Sequence, residues 1–429
     1  MYRTVQNLWT SWRKNSFIHR FPFRKLVLLV ILASTLTEDV PVASDRSSGL
    51  DRMLAGKQFD LAGWIVSAAA SKLGYAVTRP HDYLTAGDRD AWVRRYLDDL
   101  ASHQRLSARI EAVYADPAVR DAAGQTAPLR EQRDALRRSL SNRQGLIEAI
   151  LQDQIESILA EEDFGLAGQA LPPLRFQLTR LPLLLIVSRR DHIERIDQRE
   201  LSTGLTVDDM DRVERQVDQR YDVSSLVTPI GGYATYPTML PETPALTFVI
   251  ETATHEWTHN YLLFSPVGLN YNSDPVARTI NETAAVIVQR EVGARVLRRY
   301  YPDMIASATL DSDSQPRPRA QSFDFNGAMR ETRLRADALL AEGRIDEAER
   351  YMEQRRALFV DNGYLIRKIN QAYFAFYGAY NAEPGGAPAA GRDRVGPAVQ
   401  ALRARAPTLG AFIRQIARVR TLTDVQAAS

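Results

Sequence analysis

The sequence predicts a protein that is mainly α with a small β-sheet, an α+β chain, and three observations carry that prediction. Apolar residues recur at helical spacing through long stretches before residue 165 and after residue 326. Between residues 171 and 240 the period shortens: residues 175–178 alternate, and 183–188 (LLLIVS) form one apolar run. Prolines next to small polar residues mark helix starts within that frame. With 429 residues, 45% hydrophobic and 25% charged, the chain is long and apolar enough to bury a large core across two or three regions.

Residues 1–45 read as a targeting or anchor segment and connector. Arg13, Lys14, Arg20, Arg24 and Lys25 precede the apolar run 26–36 (LVLLVILASTL), and Glu38 and Asp39 follow it. That order of charges puts the N-terminus inside and the rest of the chain outside. The run is shorter than the roughly 17–25 residues of a spanning helix and matches a signal-peptide core. Two outcomes follow for an exported protein: secretion after cleavage, with Val42-Ala43-Ser44 the best available site, or membrane anchoring through residues 26–36. Residues 40–50 read as a flexible connector.

Residues 46–165 form a helical region. Phe59, Leu61, Ala62, Ile65 and Val66 make one apolar face, Pro80-His81-Asp82-Tyr83 breaks the pattern, and residues 90–114 resume it. Thr126 as cap and Pro128 in the first turn predict a helix running to about residue 162. Its stripe is Leu136, Leu140, Ile147, Ile150, Leu151 and Ile158. Two strands follow at 175–178 and 183–188, then His192 in a charged, exposed stretch. Residues 207–221 are an amphipathic helix capped by Thr206 or Thr203. Residues 226–240 are strand-like, with Gly231-Gly232 marking a bulge or a close backbone approach.

A helix capped by Thr243, with Pro244 in its first turn, ends at Ser265-Pro266; a second long helix covers 275–300 behind Asp274 or Ser273. After a polar loop at 311–324 comes the C-terminal helical region, residues 326–429. It contains a hairpin of helices at 328–342 and 345–359 turned at Gly343-Arg344, and an aromatic helix at 364–380. A mobile loop at 383–391 leads to a final helix at 396–419 with a break near Pro407.

Composition excludes several functions. A net charge of +2, with arginines interleaved among acids, implies no nucleic-acid partner. The absence of cysteine excludes disulfides, cysteine–zinc sites and a cysteine nucleophile. The chain has six histidines, and two of them flank a glutamate as His255-Glu256-Trp257-Thr258-His259. Positions i and i+4 share a helix face, so the two imidazoles converge on a point where one small ion fits. Zinc takes neutral imidazole nitrogens at about 2.0–2.1 Å and keeps an open position for water in catalytic sites. Glu256 sits where it can take that water's proton.

The second long helix carries Asn281-Glu282-Thr283-Ala284-Ala285. The pairing of His-Glu-x-x-His with a downstream Asn-Glu resembles the gluzincin branch of zinc metallopeptidases. The resemblance implies a zincin-like catalytic core over residues 166–310, flanked by N- and C-terminal helical regions. His255, His259 and Glu282 would hold Zn2+, and Glu256 would be the general base. Glu282 lies among Ile280, Ala284, Ala285 and Ile287, and a carboxylate buried there needs a cation. The better-known gluzincins have an Asp four residues after the Glu; this chain has Val286, so another acceptor must serve His255. The shorter Asn-Glu-x-x-Ala pattern, with a helical tail behind it, looks more like a set of bacterial aminopeptidases.

The function so implied is zinc-dependent hydrolysis of peptide bonds outside the cytoplasm by a metal-bound water, with a peptide or protein as the substrate partner. Such relatives use a tyrosine to stabilise the oxyanion. Tyr373 or Tyr377 is the candidate here, both sharing a helix face with Asn370. The strand at 226–240 would pair with substrate backbone. Its segment 231–237 (GGYATYP) has no acid for a substrate amino terminus, which leaves endopeptidase and aminopeptidase both open. The alternative is a catalytically silent zinc-binding helical scaffold of the cell envelope, against which the intact Glu256 argues.

Overall fold

Polar N-caps start many of the helices in the computed structural model, which describes residues 45–115, 119–166, 169–304, 323–378 and 394–428. Helix α1 (Asp45–Met53) leads to α2 (Leu61–Thr78), where Asp60 accepts from Gly63 N at 2.9 Å. A 3-10 turn (Pro80–Tyr83) precedes the long helices α3 (Ala86–Ala115) and α4 (Ala122–Glu161). The strands are β1 (Gly165–Leu166), β2 (Gln169–Ala170), β3 (Phe176–Thr179), β4 (Leu183–Arg189) and β5 (Arg195–Leu201). Helix α5 (Val207–Tyr221), with a Thr206–Asp209 capping box, separates them from β6 (Val223–Pro229) and β7 (Thr238–Pro241). Then come α6 (Leu246–Leu262), the short α7 (Pro266–Leu269) and α8 (Pro275–Tyr300). Helices α9 (Phe325–Ala341), α10 (Ile345–Asp361), α11 (Gln371–Tyr377), α12 (Val395–Arg405), α13 (Leu409–Ile416) and α14 (Leu422–Ala428) complete the described residues. At 67% helix and 10% strand among the described residues, the protein is mainly α with small sheets, as the periodicities predict.

The largest sheet is antiparallel in the order β5-β4-β6, beside a parallel β3–β7 pair and a β1–β2 hairpin. Central strand β4 is covered on both faces, which is why it is one apolar run. Leu185 and Val187 pack with Val213 and Val217 of α5 and with Leu50 and Leu54 of the first segment; Leu184 and Ile186 pack under Ala372 and Phe376 of α11. A single apolar core takes in α3, α4, α6, α8 and the last three helices, from Val93 through Ile150, Trp257 and Val288 to Val425. The change of character near residue 165 is therefore a change of local structure within one core.

Several local expectations are corrected. Residues from Asp45 onward, read as connector, are helical, and Leu50 is fully buried beneath the sheet. Helix α4 begins at Ala122 under an Asp121 cap, not at Thr126, and Pro128 lies inside it. Pro128 falls in the second turn, where it forgoes the bond to Gly124 O, and the Asp121 cap upstream decides the start. Helix α6 begins at Leu246, and Thr243 Oγ1 accepts from Ala245 N at 3.2 Å instead of capping its first turn. The aromatic helix begins at Gln371 with Asn370 as its cap, so residues 364–369 are outside it. Strand β5 (RIDQREL) carries charge on both faces and no alternation, so periodicity gives it no signal. The 26–36 run lies outside the described residues. Among the described residues, no helix is long and apolar enough to cross a membrane.

Trp257 fastens the motif helix to this frame. It is buried, its Nε1 donates to Pro172 O at 2.7 Å, and its ring meets Phe164 edge-on at 5.3 Å. Trp257→Ala is expected to lower unfolding stability by about 3–5 kcal/mol, read from urea denaturation. A loss below about 1 kcal/mol would show that this packing does not anchor α6.

Candidate metal centre

Helices α6 and α8 run side by side and bring the three expected ligands together. His255 Nε2 and His259 Nε2 are 3.1 Å apart, and Glu282 Oε2 lies 3.2 Å from the first and 3.6 Å from the second. An ion held tetrahedrally at about 2.0–2.1 Å from each ligand sets the ligands roughly 3.3 Å apart. Glu282 is 1% exposed and His255 7% exposed, so both are largely withdrawn from bulk water. The buried Oε2 of Glu282 makes no hydrogen bond of proper geometry, an arrangement that a cation would satisfy.

The surroundings prepare these groups for a metal. Asn281 Oδ1, an acceptor only, lies 2.8 Å from His259 Nδ1. Nδ1 therefore carries the hydrogen, and the Nε2 lone pair faces the centre. Burial pushes the His259 pKa down and keeps the ring neutral. Burial alone would raise Glu282; the neighbouring histidines and the Tyr271 hydroxyl more than offset it and hold the carboxyl low. A neutral imidazole beside an ionised carboxylate is the ligand state zinc requires. A second group, His81, Asp82 and Asp153, also has metal-like spacing. There Arg79 already supplies the cation, donating to Asp82 at 2.6 Å and to Asp153 at 3.1 Å.

Glu256 points to the same side. Burial pushes its carboxyl up to about 7, against the pull of His255 and with a further push from Glu282. It lies against Gly232, where an added Cβ would stand 2.5 Å from Glu256 Oε1 and 2.7 Å from Thr252 Cγ2. The Gly231-Gly232 signal is thus a close approach of backbone to the Glu256 side chain. Asn260 Nδ2 donates to Thr235 O at 3.3 Å and ties that loop to α6. Gly232→Ala is expected to displace Glu256 and to lower any turnover on the order of 10²-fold with zinc content unchanged. Parallel metal analysis and peptide-cleavage rates check it, and an unaltered rate would show that the loop yields.

The centre opens on a cleft of about 440 Å³ walled by β5, the 230–235 loop, Tyr271, Asn272 and Phe376. Tyr373 and Tyr377 are not brought to it. They stack on each other at 4.6 Å within the apolar layer between α11 and the sheet, and Tyr377 Oη is 2.9 Å from Thr228 Oγ1. Their helical spacing is a core stripe. Two other tyrosines line the cleft: Tyr233, whose hydroxyl donates to Glu200, and Tyr271. Tyr271 is the one that meets the ligand cluster. Its hydroxyl donates to Glu282 Oε1, and its ring meets that of His259 at 5.6 Å. It sits in the interhelix loop, where no periodicity signals it. The 226–240 segment enters the cleft wall through its 230–235 loop, while β5, unseen from sequence, forms the strand wall. His192 is half exposed in the β4–β5 turn. No family model, no curated protein and no solved structure matches this chain.

Proposed function

We propose that the protein is a zinc-dependent peptidase in which His255, His259 and Glu282 hold the ion and Glu256 is the general base. The observation that carries this reading is the convergence of two imidazole nitrogens and one buried carboxylate oxygen within 3.1–3.6 Å, with Glu256 beside them on an open cleft. Zinc in such a ligand set supplies Lewis acidity toward a carbonyl and a water. The chain's own groups do the rest. Glu256, pushed to about 7, can accept a proton from the attacking water near neutral pH and return it to the leaving amine. Asn281 keeps the His259 tautomer, and Tyr271 holds Glu282 in orientation while leaving Oε2 toward the histidines. The cleft of about 440 Å³ falls within the range of small-ligand sites.

The order of charges around residues 26–36 supports an address outside the cytoplasm. The protein recovered from the medium or envelope, loaded with zinc, is expected to cleave members of a peptide library in a mass-spectrometric assay. Cleavage should stop after chelation and return with one equivalent of zinc; recovery from the cytoplasm alone, or turnover indifferent to chelation, overturns the corresponding half of the reading.

A further inference from the structure

We infer that Arg195 is a specificity-determining residue that binds a carboxylate of the substrate in the cleft beside the metal centre. The inference rests on the peptidase reading for the ligand being a peptide.

An irregularity in strand β5 sets the face on which Arg195 stands. Its register against β4 pairs Val187 with Asp197 but Ser188 with Arg195, so Ile196 is an extra residue, a β-bulge. Without the bulge, Arg195 would share the face of Asp197 and Arg199. With it, Arg195 joins the face of Gln198 and Glu200, opposite Ser188, Ile186 and Leu184. Arg195 lines the same cavity as His255, Glu256 and Glu282, together with the β5 residues from Ile196 to Glu200. Its guanidinium lies 5.6 Å from the centroid of the Tyr271 ring, whose hydroxyl bonds Glu282. One aromatic ring separates it from the third metal ligand.

The polar partners of Arg195 are neutral. Nη1 donates to Gln198 Oε1 at 2.7 Å and Nη2 to Asn272 Oδ1 at 2.8 Å. Among the described residues no carboxylate lies within ion-pair distance of it, whereas Arg199 on the same strand pairs with both Asp51 and Asp197. A guanidinium has five N–H donors, and these two amides fix its plane without neutralising it. Of the two guanidinium groups that line the cleft, Arg199 is paired with carboxylates and Arg195 is held by neutral amides. A fork of N–H donors held in one plane matches a carboxylate, which can come from a peptide C-terminus or from an Asp or Glu side chain.

The test uses the zinc-loaded full chain carrying Glu256→Gln, which binds peptides without turnover, and reads affinity by calorimetry. The probes are an N-acetyl tripeptide with a free C-terminus, its C-terminal amide, and amides ending in Asp, Glu or Gln. At least one carboxylate-bearing probe is expected to bind about 10–100-fold tighter than its neutral counterpart. Preference for the free acid identifies the terminal carboxylate, and preference for the Asp or Glu amide identifies a side chain. Adding Arg195→Gln, with zinc content verified, should erase the difference, and Arg195→Lys, which keeps the charge but not the fork, should retain part of it.

Equal binding of charged and neutral probes, no binding of any probe, or discrimination that survives Arg195→Gln overturns the inference. So does an equal loss for acid and amide, the mark of a merely structural arginine. Because binding is read without turnover, discrimination in a protein whose parent cleaves nothing would sink the peptidase reading and leave this one standing.

Discussion

Glu256→Gln is expected to lower peptide cleavage by about 10²–10⁴-fold, the range attributed to a positioned general base, while bound zinc stays unchanged. The carboxylate is buried beside His255 and Glu282 and is pushed up to about 7, so near neutral pH it exchanges a proton readily in both directions. Glutamine keeps the volume and hydrogen-bonding capacity but cannot take the proton. Metal content by mass spectrometry and initial rates on one cleaved peptide measure the two effects separately. Unchanged turnover would remove Glu256 from the mechanism. A zinc-binding parent with no cleavage of any library member would instead favour the silent envelope scaffold, for which a buried base at a metal site has no use.

Glu282→Ala is expected to weaken zinc binding by more than the roughly 10–100-fold that loss of an outer partner costs. It removes an oxygen that faces both imidazoles at 3.2 and 3.6 Å. It also orphans the Tyr271 hydroxyl, which donates to the other oxygen. A ligand at free concentration L that binds only the folded state stabilises it by RT ln(1 + L/Kd), so the thermal midpoint should rise with added zinc in the parent and hardly move in the variant. An unchanged dissociation constant, measured with a competing chelator, would place the third ligand elsewhere. Glu282→Gln separates the causes: it retains an acceptor for Tyr271 while replacing the metal-facing oxygen and the charge with a neutral amide.

Much of the site is visible along the chain because it depends on local rules. The i, i+4 spacing of His255 and His259 is a statement about one helix and survives any packing of that helix. The same holds for α8, whose Asp274 cap and Pro275 start are local chemistry and place Glu282 on a long helix after a short loop. Buried strand β4 and amphipathic α5 were likewise readable, since each writes its exposure into its own period.

Tertiary structure alone decided the rest. Helical spacing put Tyr373 and Tyr377 on one face, but only packing shows that this face meets Thr228 and the sheet rather than the cleft. Tyr271 lies in a loop and Arg195 on a charged strand, where no periodic pattern operates. One bulged residue puts Arg195 on the face of Gln198 and Glu200, and that depends on register with a neighbouring strand. Local sequence encodes which residues share a face and where an element begins, because those follow from backbone geometry within a few residues. Which face meets which depends on contacts between residues far apart in the chain, as between Glu282 and the two histidines, and the folded chain alone brings those together.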